Sequence, residues 1–146
     1  MAVSRLLYIS EAVKPFPEPE LQALVASSSL ANTHRGITGL LVCSRSNFLQ
    51  ILEGDDLQIK TLYGKIERDP RHHNLCQLLF RQADSRMFPQ WGMHLVNASH
   101  SAVLNRDAID KTLIRLRLKP GDGQQDALTL LEEFRRQLDT QMARSA

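Results

Sequence analysis

The chain has 146 residues, 42% of them apolar and 23% charged, with 18 Lys and Arg against 16 Asp and Glu. That mix belongs to one globular domain with a small appendage. It excludes a disordered or fibrous chain and lacks the basic excess of a nucleic-acid footprint. Cys43 and Cys76 stand 33 residues apart outside any zinc or disulfide spacing, and no stretch has the length of a signal peptide or membrane span. The expected home is a reducing cytoplasm, with no metal, nucleic acid or membrane as partner.

Arg5–Ser10 (RLLYIS) is a short apolar run that reads as a buried strand. Pro15, Pro17 and Pro19 forbid regular structure up to about Glu18. From Pro19 to Asn32, Leu21, Leu24, Val25 and Leu30 recur at helical spacing, and Gly36 offers a left-handed turn beyond the helix. Ile37–Ser44 and Phe48–Glu53 read as two strands of a hairpin joined through SRSN. Asp55 and Asp56 open a helix running to about Glu67, with Leu57, Leu62 and Ile66 as its stripe. Asp69-Pro70-Arg71 stops it. Leu75–Arg81 and Trp91–Val96 supply two more strands. The order β-α-β-β-α-β-β predicts an α+β, ferredoxin-like sandwich with one strand added.

After Asn97 the pattern turns helical. Ile109, Leu113 and Leu116 mark one helix over 102–118, and Ala127, Leu130, Leu131, Phe134, Leu138 and Met142 mark a second over 124–142. The reading is of two units: residues 1–97, and a helical extension over 98–146 that docks on the sheet or mediates assembly.

Several residues stand out against this pattern. Gln50 shares one strand face with Phe48 and Leu52, while Leu49 and Ile51 take the other. Both faces are apolar, so its amide must find buried partners, and the Tyr8 hydroxyl raises the same demand. An unsatisfied buried polar group costs about 1–3 kcal/mol. Each is equally readable as a satisfied core group, Asn32 as a helix cap, Asp69, Arg71 and His72 as a solvated turn, and Trp91 with Met93 as core packing. No nucleophile elbow or phosphate-binding glycine loop is present.

Together, the segments Arg35–Leu41 (RGITGLL), Phe48–Gly54 (FLQILEG), Asp69–His72 (DPRH) and Phe88–Met93 (FPQWGM) resemble the BLUF family of flavin-using blue-light sensors, in order over residues 4–97. The resemblance implies a flavin held noncovalently between the two helices and the sheet, with FAD expected and FMN or riboflavin as alternatives. It implies that Tyr8 gives an electron and then a proton to the excited flavin, and that Gln50 lies between Tyr8 and the ring. Asn32 would bond a flavin carbonyl, and Trp91 and Met93 would switch. Asp69, Arg71 and His72, with Lys65, would meet the ribityl-phosphate side, and Ile37, Leu41 and Phe48 would form apolar walls. Ala31, before Asn32, departs from the polar residue common there, and the Lys14–Pro19 loop has no counterpart in the pattern.

The residue types suit the chemistry. A tyrosine is oxidisable and acidic enough to pass on a proton. A glutamine amide carries a donor and an acceptor in one plane, so rotation or tautomerisation reverses its pattern without changing charge. The expected output is protein contact with a downstream signalling protein, in a homo-oligomer, and no enzymatic activity, because under 50 residues follow the sensor region. A light-blind interaction module and a flavin redox enzyme are the competing readings.

Overall fold

The computed structural model describes residues 2–44, 46–90, 92–97, 106–118 and 124–145. Five strands and four helices follow in the order β1 (Val3–Ala12), α1 (Glu18–His34), β2 (Thr38–Ser44), β3 (Asn47–Gly54), α2 (Asp56–Glu67), β4 (His72–Ala83), β5 (His94–Asn97), α3 (Arg106–Leu118) and α4 (Gln124–Ser145). They form one sheet ordered β4-β1-β3-β2-β5. The central pairs are antiparallel, and β5 joins β2 in parallel. This is the ferredoxin-like α+β sandwich with its added strand.

Each helix begins and ends for local reasons. Pro19 sits in the first turn of α1, where a missing N–H costs nothing. The chain leaves α1 through Gly36 at φ +69°, a conformation that glycine adopts without strain. Asp55 caps α2 by accepting from the Gln58 N–H at 3.4 Å.

Alternation along the strands divides the core in two. On one face Leu6, Tyr8, Leu41, Phe48 and Leu52 meet Leu21 and Val25 of α1 and Ile59 of α2. On the other, Leu7, Ile9, Leu40, Val42, Leu49 and Ile51 meet Ile109, Leu113 and Leu116 of α3 and Ala127, Leu131 and Phe134 of α4. The C-terminal helices therefore lie on the sheet, opposite α1 and α2.

Three sequence expectations need correction. Leu30 is 66% exposed and Leu57 is 69% exposed, so neither belongs to an inward stripe. The inward positions of α2 are Ile59, Leu62, Tyr63 and Ile66, and those of α1 are Leu21, Leu24, Val25, Ser28 and Asn32. Both sets keep helical spacing, whereas Leu57 and Leu30 fall off it. Strand β4 starts three residues earlier than Leu75 and ends two later than Arg81, and β5 starts only at His94. Trp91 and residues 102–105 of the expected elements lie outside the described residues.

Glu53, at the end of β3, is wholly buried. Its carboxylate pairs with Arg5 at 2.9 Å and accepts the backbone N–H groups of Met87 and Phe88 at 2.8 and 2.9 Å. Arg86 adds bonds to the Gly36 and Glu53 carbonyls at 2.8 and 3.1 Å. These contacts fasten the segment from β4 to β5 under the strand ends. Phe88 plugs the α3–α4 face and Met93 the α1–α2 face.

Candidate functional site

Between α1, α2 and the sheet lies a cavity of about 230 Å³. A more open pocket of about 540 Å³ shares Phe16, Leu24, Ser28, Asn32, Leu62 and Arg71 with it and extends along α1 from Glu20 to Arg35. Of the twelve residues expected at a site, ten line the cavity: Tyr8, Asn32, Leu41, Phe48, Gln50, Lys65, Asp69, Arg71, His72 and Met93. Ile37 is fully buried in the core of the same face but does not line the cavity, and Trp91 lies outside the described residues.

Strand pairing creates the central contact. Tyr8 of β1 stands directly opposite Gln50 of β3, with both side chains on the cavity face. The Tyr8 hydroxyl donates to Gln50 Oε1. One Gln50 Nε2–H is directed at Met93 Sδ, 3.3 Å away. Gln50 is 8% exposed, so the relay from phenol to amide to thioether is shielded from water. Burial above all, then the neighbouring Tyr63 and Asp69, drives the Tyr8 pKa far above that of a free phenol. The phenol therefore keeps its proton and its donor role throughout the neutral range. The Tyr63 ring lies 5.4 Å from it at 55°, and burial pushes the Tyr63 hydroxyl up to about 12.

Around this pair the polar groups are fixed from two sides. Asn32 Nδ2 donates to the Gly92 carbonyl at 2.9 Å, joining α1 to the segment that carries Met93. His72 holds the Ser10 hydroxyl at 3.0 Å through Nδ1 and the Ile66 carbonyl at 2.6 Å through Nε2. At the mouth, Arg71 grips Asp69 with Nε at 2.9 Å. Arg71 holds that carboxyl below the usual carboxylate range, and Asp69 raises the guanidinium in turn. Lys65 lines the same rim. The interior is thus apolar with two amides, a phenol and the His72–Ser10 pair, and the mouth carries the Arg71–Asp69 ion pair with Lys65.

Sequence reasoning missed Ser10, Phe16, Leu24, Val25, Ser28, Leu62 and Ile66. Ser28 was findable, because it continues the Leu21–Val25 face toward Asn32 at helical spacing. Phe16 was not, since it sits in the proline-rich loop and reaches Phe48 edge-on at 5.9 Å. Among the described residues no three His, Cys, Asp or Glu side chains converge as a metal site, and no helix is long and apolar enough to cross a membrane.

Residues 3–94 match the family model for BLUF, sensors of blue light using FAD. Over 93 residues the chain is 34% identical to BluF, a blue light- and temperature-regulated antirepressor of Escherichia coli (strain K12), covering 64% of this chain and 23% of that protein. It is 31% identical over 90 residues to photoactivated adenylate cyclase subunit beta of Euglena gracilis, covering 61% of this chain and 10% of the relative. The chain thus spans less than a quarter of either relative. A bacterial light-regulated adenylyl cyclase structure superposes with TM-score 0.70 at 34% identity, over 78% of this chain and 33% of its own. The dark-state structure of BlrB, a BLUF protein, shares the fold with TM-score 0.73 at 23% identity, over 92% of this chain and 96% of its own. The phenol–amide pair, the cavity that holds it and the matched family model lead to one conclusion: this chain belongs to the BLUF family of flavin-binding blue-light photoreceptors.

Proposed function

We propose that the chain binds FAD noncovalently in the cavity between α1 and α2, and that Tyr8 and Gln50 form its light switch. The carrying observation is the Tyr8 hydroxyl donating to Gln50 Oε1 while Gln50 Nε2 faces Met93 Sδ. The donor set fits a flavin. Apolar walls from Leu41, Phe48 and Leu62 suit a flat ring, the Asn32 and Gln50 amides suit its carbonyls and nitrogens, and Arg71 and Lys65 suit a phosphate at the mouth. FAD is the flavin in the family's description, while FMN and riboflavin share its ring.

When bound, the flavin supplies blue-light absorption and an excited ring able to accept an electron and a proton. Tyr8 is the electron donor, and its hydroxyl proton leaves along the bond to Gln50 Oε1. Gln50 then reverses its amide, by rotation or tautomerisation, and exchanges donor for acceptor toward its neighbours. An oxygen turned toward Met93 Sδ no longer donates to the thioether, so that contact is lost. Exchanges of this kind in a buried site are worth on the order of 1 kcal/mol, enough to bias the segment carrying Met93 between two arrangements. Asn32 holds the neighbouring Gly92 carbonyl throughout.

The output is a changed protein surface, read by a downstream signalling protein or a second copy of the chain, rather than a reaction catalysed here. Residues 98–146 act as the output extension, and Met93 leads through β5 toward it. The relatives' names pair light with an antirepressor and with adenylate cyclases, consistent with light controlling other proteins. The test is absorption spectroscopy of the purified protein. It should be yellow, with released FAD identified by mass, and blue light should shift its absorption reversibly to the red. Tyr8→Phe and Gln50→Leu should stay yellow and lose the shift. A normal shift in Tyr8→Phe would overturn the switch.

A further inference from the structure

The cavity and the C-terminal helices lie on opposite faces of the sheet, yet one side chain joins them at the end of β1. Arg117, in the last turn of α3, donates from Nη1 to the Asn74 carbonyl at 3.1 Å and from Nη2 to the Ser10 carbonyl at 3.2 Å. Its Nε pairs with Glu11 Oε1 at 3.0 Å. Glu11 Oε2 in turn accepts from Asn74 Nδ2 at 3.3 Å and meets His73 Nε2 at 3.5 Å. Asn74 is the one non-glycine residue with positive φ among the described residues, at +54°. Such a backbone is sparsely populated and persists where its surroundings hold it.

The position of Asn74 matters for the cavity. Between the pairs Ile9↔Cys76 and Glu11↔His73, two steps along β1 match three along β4, so β4 carries a bulge there. In an unbroken strand His72 and Cys76, four residues apart, would share a face. The bulge separates them: Cys76 packs on the α3–α4 side, while His72 lines the cavity and bonds Ser10 Oγ. The His72 ring stands 6.5 Å from that of Tyr8, nearly perpendicular to it.

We propose that Arg117 is a positioning residue that holds the Asn74 bulge, and through it turns His72 into the photoactive cavity, so that α3 and the cavity share one clamp. This rests on reading the cavity as a flavin photosite. Binding and conformational equilibria at the two ends of a shared element are reciprocal. A change around Ser10 and His72 on illumination is therefore felt at α3, and loss of the clamp at α3 moves His72, beside the Tyr8 ring, and with it the barrier for return to the dark state.

The experiment uses the full flavin-loaded chain. Arg117→Ala should keep the red shift, change the dark-recovery rate by about fivefold or more through the altered barrier, and weaken the magnetic-resonance contact between the His72 and Tyr8 rings in the dark. Adding Asn74→Gly should restore both, since glycine adopts that φ without the strain Arg117 otherwise has to offset. Arg117→Lys should behave like the alanine variant, because an ammonium meets Glu11 but cannot fork to two carbonyls; it also carries the test should Arg117→Ala unfold. Parent-like recovery with the ring contact intact in Arg117→Ala, or full rescue by lysine, overturns the clamp. If the parent protein shows no red shift, the proposed function falls while the dark ring contact still decides the clamp.

Discussion

The two faces of the sheet take alternate residues of the same strands and bury different things. On the α3–α4 face, Leu7, Ile9, Leu49 and Ile51 interlock with Leu113, Leu116, Leu131 and Phe134, and the buried charge that shares their strand parity, Glu53, is held by Arg5 and two main-chain N–H groups. On the α1–α2 face, the same strands offer Tyr8, Ser10 and Gln50, α1 adds Ser28 and Asn32, and β4 adds His72 around an open cavity. One face contributes burial free energy, and the other gives up packing for a cavity in which the proposed switch pair, Tyr8 and Gln50, has room to change partners. Close packing resists small displacements, so the tight face provides the fixed frame against which the polar one moves.

The largest expected effect comes from breaking the tight face. Ile51→Ala removes a fully buried side chain and should lower the unfolding free energy by about 2–5 kcal/mol. Urea unfolding followed by circular dichroism measures it, and the folded fraction should keep its red shift. Leu41→Ala on the cavity face only widens an existing space, so in flavin-free protein it should cost less and chiefly weaken flavin retention. Equal costs at the two positions would erase the contrast.

A smaller effect distinguishes the rim from the interior. Arg71 holds the Asp69 carboxyl below its usual value near 3.8. A depressed carboxylate contributes stability that is full above the unfolded value and is lost as pH falls through the folded one. The parent should therefore lose this contribution on acidification below about pH 4, and Asp69→Asn should not. Arg71 is 53% exposed, so solvent screening limits the pair to about 1 kcal/mol or less. Thermal unfolding at pH 6 and pH 3.5 compares the two proteins. The smallest effect is expected outside both cores: Leu57→Gln, on the exposed side of α2, should alter stability by no more than about 0.5 kcal/mol.

Much of this division is readable from the strands alone. The alternation Phe48-Leu49-Gln50-Ile51-Leu52 assigns Gln50 to a face and demands a partner for it, and Tyr8 proves to be that partner. The cavity residues named from the family resemblance converge because α1, the end of α2 with the turn into β4, the cavity face of β1, β2 and β3, and the segment before β5 all meet there. What a linear pattern does not carry is a change of parity. The bulge at Asn74 reverses the faces of β4, and the His72-His73-Asn74 start lacks a β-rich pattern, so His72 reads as a turn residue. Glu53 closes an apolar strand, and besides Arg5 its partners are main-chain donors more than 30 residues on, which have no side-chain signature. Leu30 and Leu57 misled because an exposed leucine contributes to an apolar count as fully as a buried one.

Gly92 has a further consequence. A Cβ built there would overlap the Ser29 carbonyl oxygen, so the main chain of the segment before β5 rests on the main chain of α1 with nothing between. The Asn32 amide locks the same spot by holding the Gly92 carbonyl. Met93 is the next residue, and such a contact acts as a fulcrum. A small roll of α1 about its axis becomes a sideways step of the Met93 backbone, without a soft side chain to absorb it. Any larger residue at 92 would pry the lever off its pivot.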